Sequence, residues 1–225
     1  MRHSAHPLSH HPRFAPLVKK HGLPQLRHGR APFQALCRAI IYQQISGSAA
    51  GSIYKKFVAV FGIAVTLPLD WKSKKTQAFP TPEEVLATPL SRMRTAGLSA
   101  QKASYIQDLA RKFSDGSITP RKLSRMKNDD IVETLTQVKG IGVWTVHMFL
   151  IFTLNRPDIL PTGDLGIRKG FQKLYALRTL PTHTEMERLA KEWREHASAA
   201  SWYLWRIADE QKPVAKKSAL KKRRV

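Results

Sequence analysis

Apolar residues recur along most of this chain at three- and four-residue intervals, the spacing that puts them on one face of an α-helix. Phe33, Leu36, Cys37, Ile40 and Ile41 form the first such stripe, with Pro32 suited to the opening turn. Ser46-Gly47-Ser48 interrupts it, and Ile53, Phe57, Val60 and Phe61 carry a second helix over residues 49–61. Residues 62–80 read as a long connection. Thr81-Pro82-Glu83-Glu84 has the form of a helix start: a Thr cap, then Pro, then acids in the first turn. Further helices are predicted over 91–97, 101–113, 120–126, 129–138, 164–174, 184–196 and 198–210. Residues 143–154 are apolar nearly all round, which predicts a buried central helix. Strand alternation never persists beyond a few residues. The expected class is all-α, with about ten helices joined by short loops.

Charge narrows the class of partner. The chain has 225 residues, with 38 Lys and Arg against 16 Asp and Glu, a formal net charge of +22. No acid occurs from Met1 to Leu69, and residues 212–225 hold seven basic residues and no acid. Without those seven, 31 basic residues still face 16 acidic ones. Such a body is drawn to a polyanion, most simply nucleic acid. Residues 212–225 have no periodicity and read as a disordered basic tail. Residues 1–12, rich in His and Pro, read as a loose arm. His3, His6, His10 and His11 in that arm have no acidic or Cys companion, so no metal site is expected. A single cysteine, Cys37, excludes a disulfide framework and a four-cysteine iron–sulfur cluster within one chain. No apolar run reaches the length of a membrane span, and the N-terminus lacks the apolar core of a secretory signal.

Two features carry chemistry. Residues 131–135 make a helix, Val138-Lys139-Gly140-Ile141-Gly142 a tight turn, and Val143-Trp144-Thr145-Val146 opens the next helix. The glycines permit positive φ and bring bare backbone to the surface. Their N–H groups, with those of the following helix start, can point at a phosphate, while Ile141 plugs the hairpin from within. A helix–hairpin–helix of this kind holds the backbone of DNA and reads no sequence. A plain αα turn ending in Gly is the competing description. About twenty residues on, Asp164 follows Gly163 and precedes an apolar helix. It is a good helix N-cap; a cap uses one carboxylate oxygen, so a second role can coexist.

The run 135–169, with Lys139-Gly140-Ile141-Gly142-Val143-Trp144-Thr145 and the Gly163-Asp164 turn, resembles the helix–hairpin–helix DNA glycosylases. Within them it is most similar to the 3-methyladenine DNA glycosylase II branch, which removes alkylated bases. The likeness covers about residues 33–209. It also includes Ile41-Tyr42-Gln43-Gln44-Ile45-Ser46, Gly97-Leu98-Ser99 leading into Lys102-Ala103, and Ser201-Trp202-Tyr203-Leu204-Trp205-Arg206. The resemblance implies one catalytic domain over 13–211, folded as two lobes with the active-site cleft between them. It places Asp164 at the family's catalytic aspartate, Trp144 and Trp205 in the base pocket, and Met148 where some relatives carry an aromatic. Core packing beside Trp202 is the competing role for Trp205. Lys139, Gly140, Ile141, Gly142 and Thr145 would meet the DNA backbone. Gln44, or alternatively Ser46, would fill the space left by the extruded base.

The same resemblance sets the chemistry. Lyase-competent relatives place a lysine where this chain has Trp144, so a monofunctional glycosylase is implied. Alkylation at N3 or N7 makes a purine a good leaving group. Such a reaction needs a carboxylate beside the sugar more than an acid beside the base. No cofactor is implied; the partner is double-stranded DNA with alkylated bases, and a monomer is expected, cytoplasmic and nucleoid-associated in a bacterium or nuclear in a eukaryote. The competing functions are a non-catalytic DNA-binding protein and a glycosylase for deaminated or oxidised bases, which would want an acid such as His147 or His196. The chain departs from the family before its last helix. There Trp193-Arg194-Glu195-His196-Ala197-Ser198 puts Ala197 in place of an arginine. An N-terminal β-domain, frequent in bacterial relatives, is not expected.

Overall fold

The computed structural model describes residues 6–26, 31–63 and 78–210, and every regular element among them is helical. In chain order these are α1 (Ala15–His21), α2 (Pro32–Tyr42), α3 (Gly47–Ala59), α4 (Pro82–Ala87), α5 (Leu90–Arg94) and α6 (Ala100–Ser114). There follow α7 (Pro120–Arg125), α8 (Asn128–Thr136), α9 (Val143–Phe152), α10 (Leu165–Leu174), α11 (His183–Ala190) and α12 (Ala197–Asp209). The chain divides into two units: Gln25–Ile159, and Met1–Pro24 together with Leu160–Val225. The expected basic tail, the first five residues of the expected arm and most of the connection after α3 lie outside the described residues.

The unit Gln25–Ile159 is built on the stripes read from the sequence. Leu36, Ile40 and Ile41 of α2, Phe57 of α3, Ile106 and Leu109 of α6 and Leu150 of α9 are all fully buried. Phe79, beyond the long connection, packs its ring against Phe33, Tyr54 and Phe57. The predicted start of α4 closes as a capping box: Thr81 Oγ1 accepts from the Glu84 N–H, and the Thr81 N–H donates to Glu84 Oε2 at 2.7 Å. Lys102, in the first turn of α6, ties that helix to the end of α2. The expectation of a wholly buried α9 needs correction. Thr145, Val146, Phe149, Leu150 and Ile151 are buried, but Val143 and Trp144 are about half exposed. The helix emerges from the core at its first turn, where the hairpin stands.

The second unit corrects two further expectations and adds a helix that was not predicted. Residues 6–12 are not loose: Pro7–Ser9 form a 3-10 turn, and Leu8 and Phe14 are buried. The Phe14 ring meets Trp193 edge to face at 5.3 Å and Tyr203 at 6.1 Å. Helix α1 carries no buried residue, so it left no apolar stripe to read. The helix expected over 184–196 breaks into α11 and a 3-10 segment, Lys191–His196, where Trp193 departs from helical geometry (φ −126°, ψ 18°). The cause is burial of its indole between Phe14 and Phe171, with Nε1 donating to Tyr175 Oη at 3.0 Å. Helix α10 crosses α12 closely at Gly170, where a Cβ would fall 2.5 Å from the Leu204 carbonyl oxygen. Lys173 then donates to the Ile207 and Ala208 carbonyls at the end of α12.

Candidate active site and nucleic-acid interface

The hairpin between α8 and α9 is formed as its residues dictate. Val138 and Ile141 point inward and are buried; Lys139, Gly140 and Gly142 are exposed. The two glycines differ. Gly140 lies at φ +79°, where only glycine is at ease, while Gly142 caps α9 at φ −97°. A Cβ on Gly140 would land 2.0 Å from the Tyr105 ring; one on Gly142 would meet nothing within 4 Å. Residues 136–142 line an open hollow of about 480 Å³. The Lys139 N–H donates to Asp108 Oδ2 at 3.0 Å and the Ile141 N–H to the Val138 carbonyl at 3.1 Å. Neither the Gly140 nor the Gly142 N–H has an acceptor among the described residues. With the opening N–H groups of α9 they make an arrangement of donors that can hold an anion, and a Cβ on Gly142 would meet nothing within 4 Å. Thr145 is only 6% exposed, which leaves its backbone rather than its hydroxyl for such a contact.

The turn joining α2 to α3 lies against this hairpin. Gln43 Nε2 donates to the Gly140 carbonyl at 2.8 Å. Gln44 is exposed and takes the left-handed conformation (φ +58°), and Ile45 beside it is 38% exposed. Ser46 is occupied as the N-cap of α3, its Oγ accepting from the Ala49 N–H at 3.4 Å. Trp144 and Met148 stand one turn apart on α9, so they share a face; Met148 is half-buried.

In the other unit the structure brings Asp164 and Trp205 together. Asp164 is the N-cap of α10, its turn closed by its own N–H donating to the Pro161 carbonyl. Oδ1 accepts from the Ile167 N–H at 2.9 Å and from Trp205 Nε1 at 3.0 Å. The carboxylate is thus oriented by two donors from different helices. Gly166 permits this: a Cβ there would fall 2.8 Å from Trp205 Cδ1 and 3.0 Å from Asp164 Oδ1. Gly166 and Gly170 escaped the sequence reading. Their spacing of four on α10 was the available signal, since it clears one face of a helix for a close neighbour. Trp202 has a separate role, with the Arg206 guanidinium over its ring at 3.1 Å. Ala197 is fully buried, Arg194 pairs with Glu187 at 3.2 Å, and the His196 ring packs on His6.

A hairpin with open backbone N–H groups and an oriented carboxylate at a helix start define a class: a helix–hairpin–helix protein with a candidate hydrolytic site. The comparisons give the family. The profile of the HhH-GPD superfamily base excision DNA repair proteins matches residues 37–196. The chain is 36% identical over 192 residues to DNA-3-methyladenine glycosylase 1 of Schizosaccharomyces pombe, covering 84% of this chain and 78% of that one. A solved structure of the S. pombe 3-methyladenine DNA glycosylase in complex with abasic DNA superposes with TM-score 0.70 at 34% identity, covering 89% and 93% of the two chains. That of a DNA-3-methyladenine glycosidase from Bacillus halodurans does so with TM-score 0.76 at 28% identity, covering 90% and 87%. The chain belongs to the HhH-GPD superfamily of base excision DNA repair proteins, in its alkylated-base branch.

Proposed function

We propose that this protein is a monofunctional DNA glycosylase that hydrolyses the N-glycosidic bond of N3- and N7-alkylated purines in duplex DNA. The observation that carries the reading is the Asp164 carboxylate, held on Oδ1 by the Ile167 N–H and the Trp205 indole N–H. A carboxylate so oriented costs no reorganisation when positive charge develops on the deoxyribose, and it can direct water at the same centre. The leaving base already carries a positive charge, so its departure needs no strong acid. His196, a candidate acid for neutral bases, is engaged with His6.

The remaining parts follow from the same reading. Gly140, Gly142 and the start of α9 hold a phosphate, with Lys139 adding charge. Gln44 enters the stack as the base leaves it, and extrusion costs a few kcal/mol. Trp144 and Trp205 offer ring faces to a cationic base, each stacking contact being worth about 1–3 kcal/mol. Met148 widens the pocket relative to an aromatic. The protein acts as a monomer on double-stranded DNA, with no cofactor.

Borohydride trapping during turnover tests the monofunctional assignment. Because Trp144 stands where lyase-competent relatives have lysine, the product is expected to be an abasic site in an unbroken strand. Any strongly basic protein nicks abasic DNA slowly through a stray amine, so the rates must be compared. Strand cleavage lagging far behind base release supports the assignment. Efficient trapping, or cleavage that keeps pace with base release, refutes it.

A further inference from the structure

Lys102 belongs to no part of the proposed chemistry, yet it is the side chain that ties α6 to the end of α2. Its Nζ donates to the Ile41 carbonyl at 2.8 Å and to the Gln43 carbonyl at 2.7 Å. Carbonyls at a helix end lack partners within the helix, and the negative end of its dipole favours a cation there. Partial burial of the ammonium lowers its pKa from the ordinary lysine value. The two carbonyls offset that loss of solvation.

The same face of α6 holds the hairpin. Three residues on, the Tyr105 ring packs under Gly140; three further, Asp108 accepts the Lys139 N–H. Gln43 completes the circuit through its side chain to the Gly140 carbonyl. Two turns 97 positions apart in sequence, at Gln43 and Gly140, are therefore braced on one helix within one unit.

We infer that Lys102 is a positioning residue for base extrusion: by clamping the Ile41 and Gln43 carbonyls it holds the Gln44 turn at a fixed distance from the phosphate-binding hairpin. The inference rests on the reading of Gln44 as the plug. A plug must enter the stack at a set distance from the phosphate that anchors the protein, and a misplacement of about 1 Å is costly in such steps. The Lys102 ammonium is engaged by the Ile41 and Gln43 carbonyls, and neither the Gly142 backbone nor the Asp164 carboxylate is among its partners, so unmodified-duplex binding is expected to survive its loss.

The test uses the full chain and a duplex carrying 2-aminopurine beside a 7-methylguanine, whose fluorescence reports unstacking before any bond breaks. Affinity for unmodified duplex is measured in parallel. K102M keeps the stem and loses the charge. It is expected to lower the unstacking amplitude about five-fold, as loss of a hydrogen-bonded clamp implies, with unmodified-duplex affinity within about two-fold of wild type. K102R is expected to restore at least half of the amplitude, and Q44A/K102M to be no worse than Q44A, since both act through one plug. If Q44A loses unstacking while K102M keeps it, Lys102 has no such role and the plug reading stands. If Q44A unstacks like wild type, the plug reading falls and this inference with it. If K102M weakens unmodified-duplex binding in step with unstacking, or K102R fails to rescue, the lysine is a general structural strut and the inference is overturned.

Discussion

Asp164→Asn is expected to slow single-turnover base release from alkylated duplex by about 10³-fold, ~4 kcal/mol of transition-state stabilisation. Duplex affinity should be retained or improved. The amide oxygen of Asn can still accept from the Ile167 N–H and the Trp205 indole, so the cap and the orientation survive. Asn is as good an N-cap as Asp, and only the favourable dipole interaction, about 0.3–1 kcal/mol, is lost. What disappears is the negative charge that faces the developing cation and repels phosphates. The Tm should fall by no more than about 4 °C and far-UV circular dichroism should match wild type, so the loss cannot be assigned to unfolding. Near-normal release by the variant would remove Asp164 from the chemistry and leave it a helix cap.

The two hairpin glycines are expected to fail in different ways. Gly140→Ala forces an alanine to φ +79°, at about 1–2 kcal/mol, and drives its Cβ into the Tyr105 ring. With the displacement of that ring the total should be about 2–4 kcal/mol of stability, read as a lowered Tm. Gly142→Ala meets neither obstacle: its φ is −97° and no atom lies within 4 Å of the new Cβ. Because Gly142 is the N-cap of α9, where glycine is preferred to alanine, and a stiffer unfolded chain offsets part of that cost, its stability should fall by less than about 1 kcal/mol. The methyl instead occupies the approach of a phosphate, and duplex affinity should fall about ten-fold. That fall should be equal for damaged and undamaged duplex, because a phosphate carries no lesion information. A loss confined to lesion-bearing DNA, or a Tm drop for Gly142→Ala as large as for Gly140→Ala, would contradict this account of the hairpin.

The contrast between the glycines marks where reading the sequence stops. Periodic burial along α2, α6 and α10 is a local property, and the helices fell where their apolar positions put them. The hairpin was legible because glycines, the Ile141 plug and flanking helices are contiguous. The brace beneath it was not, since Lys102, Tyr105 and Asp108 reach segments whose partners are fixed only by the tertiary fold. Trp205 was placed in the site by resemblance, but its hydrogen bond to Asp164 crosses from α12 to α10 and depends on Gly166, whose spacing of four from Gly170 marks a cleared helix face without saying which helix fills it. The N-terminal residues misled in the same manner. Polar and proline-rich on paper, they bury Leu8 and set the Phe14 ring against Trp193, whose burial also breaks the helix expected over 184–196.

The central claim is that Asp164 and its setting hydrolyse the bond to an alkylated purine. The most direct measurement is release of free bases, separated by chromatography, from duplex DNA treated with a methylating agent and incubated with the purified full-length chain. The account predicts that 3-methyladenine and 7-methylguanine appear in the soluble fraction, at rates far above spontaneous depurination, and that normal bases stay in the strand. Tight duplex binding with no release would make the protein a DNA-binding module. Release confined to deaminated or oxidised bases would place its chemistry elsewhere and contradict the role given to a cationic leaving group.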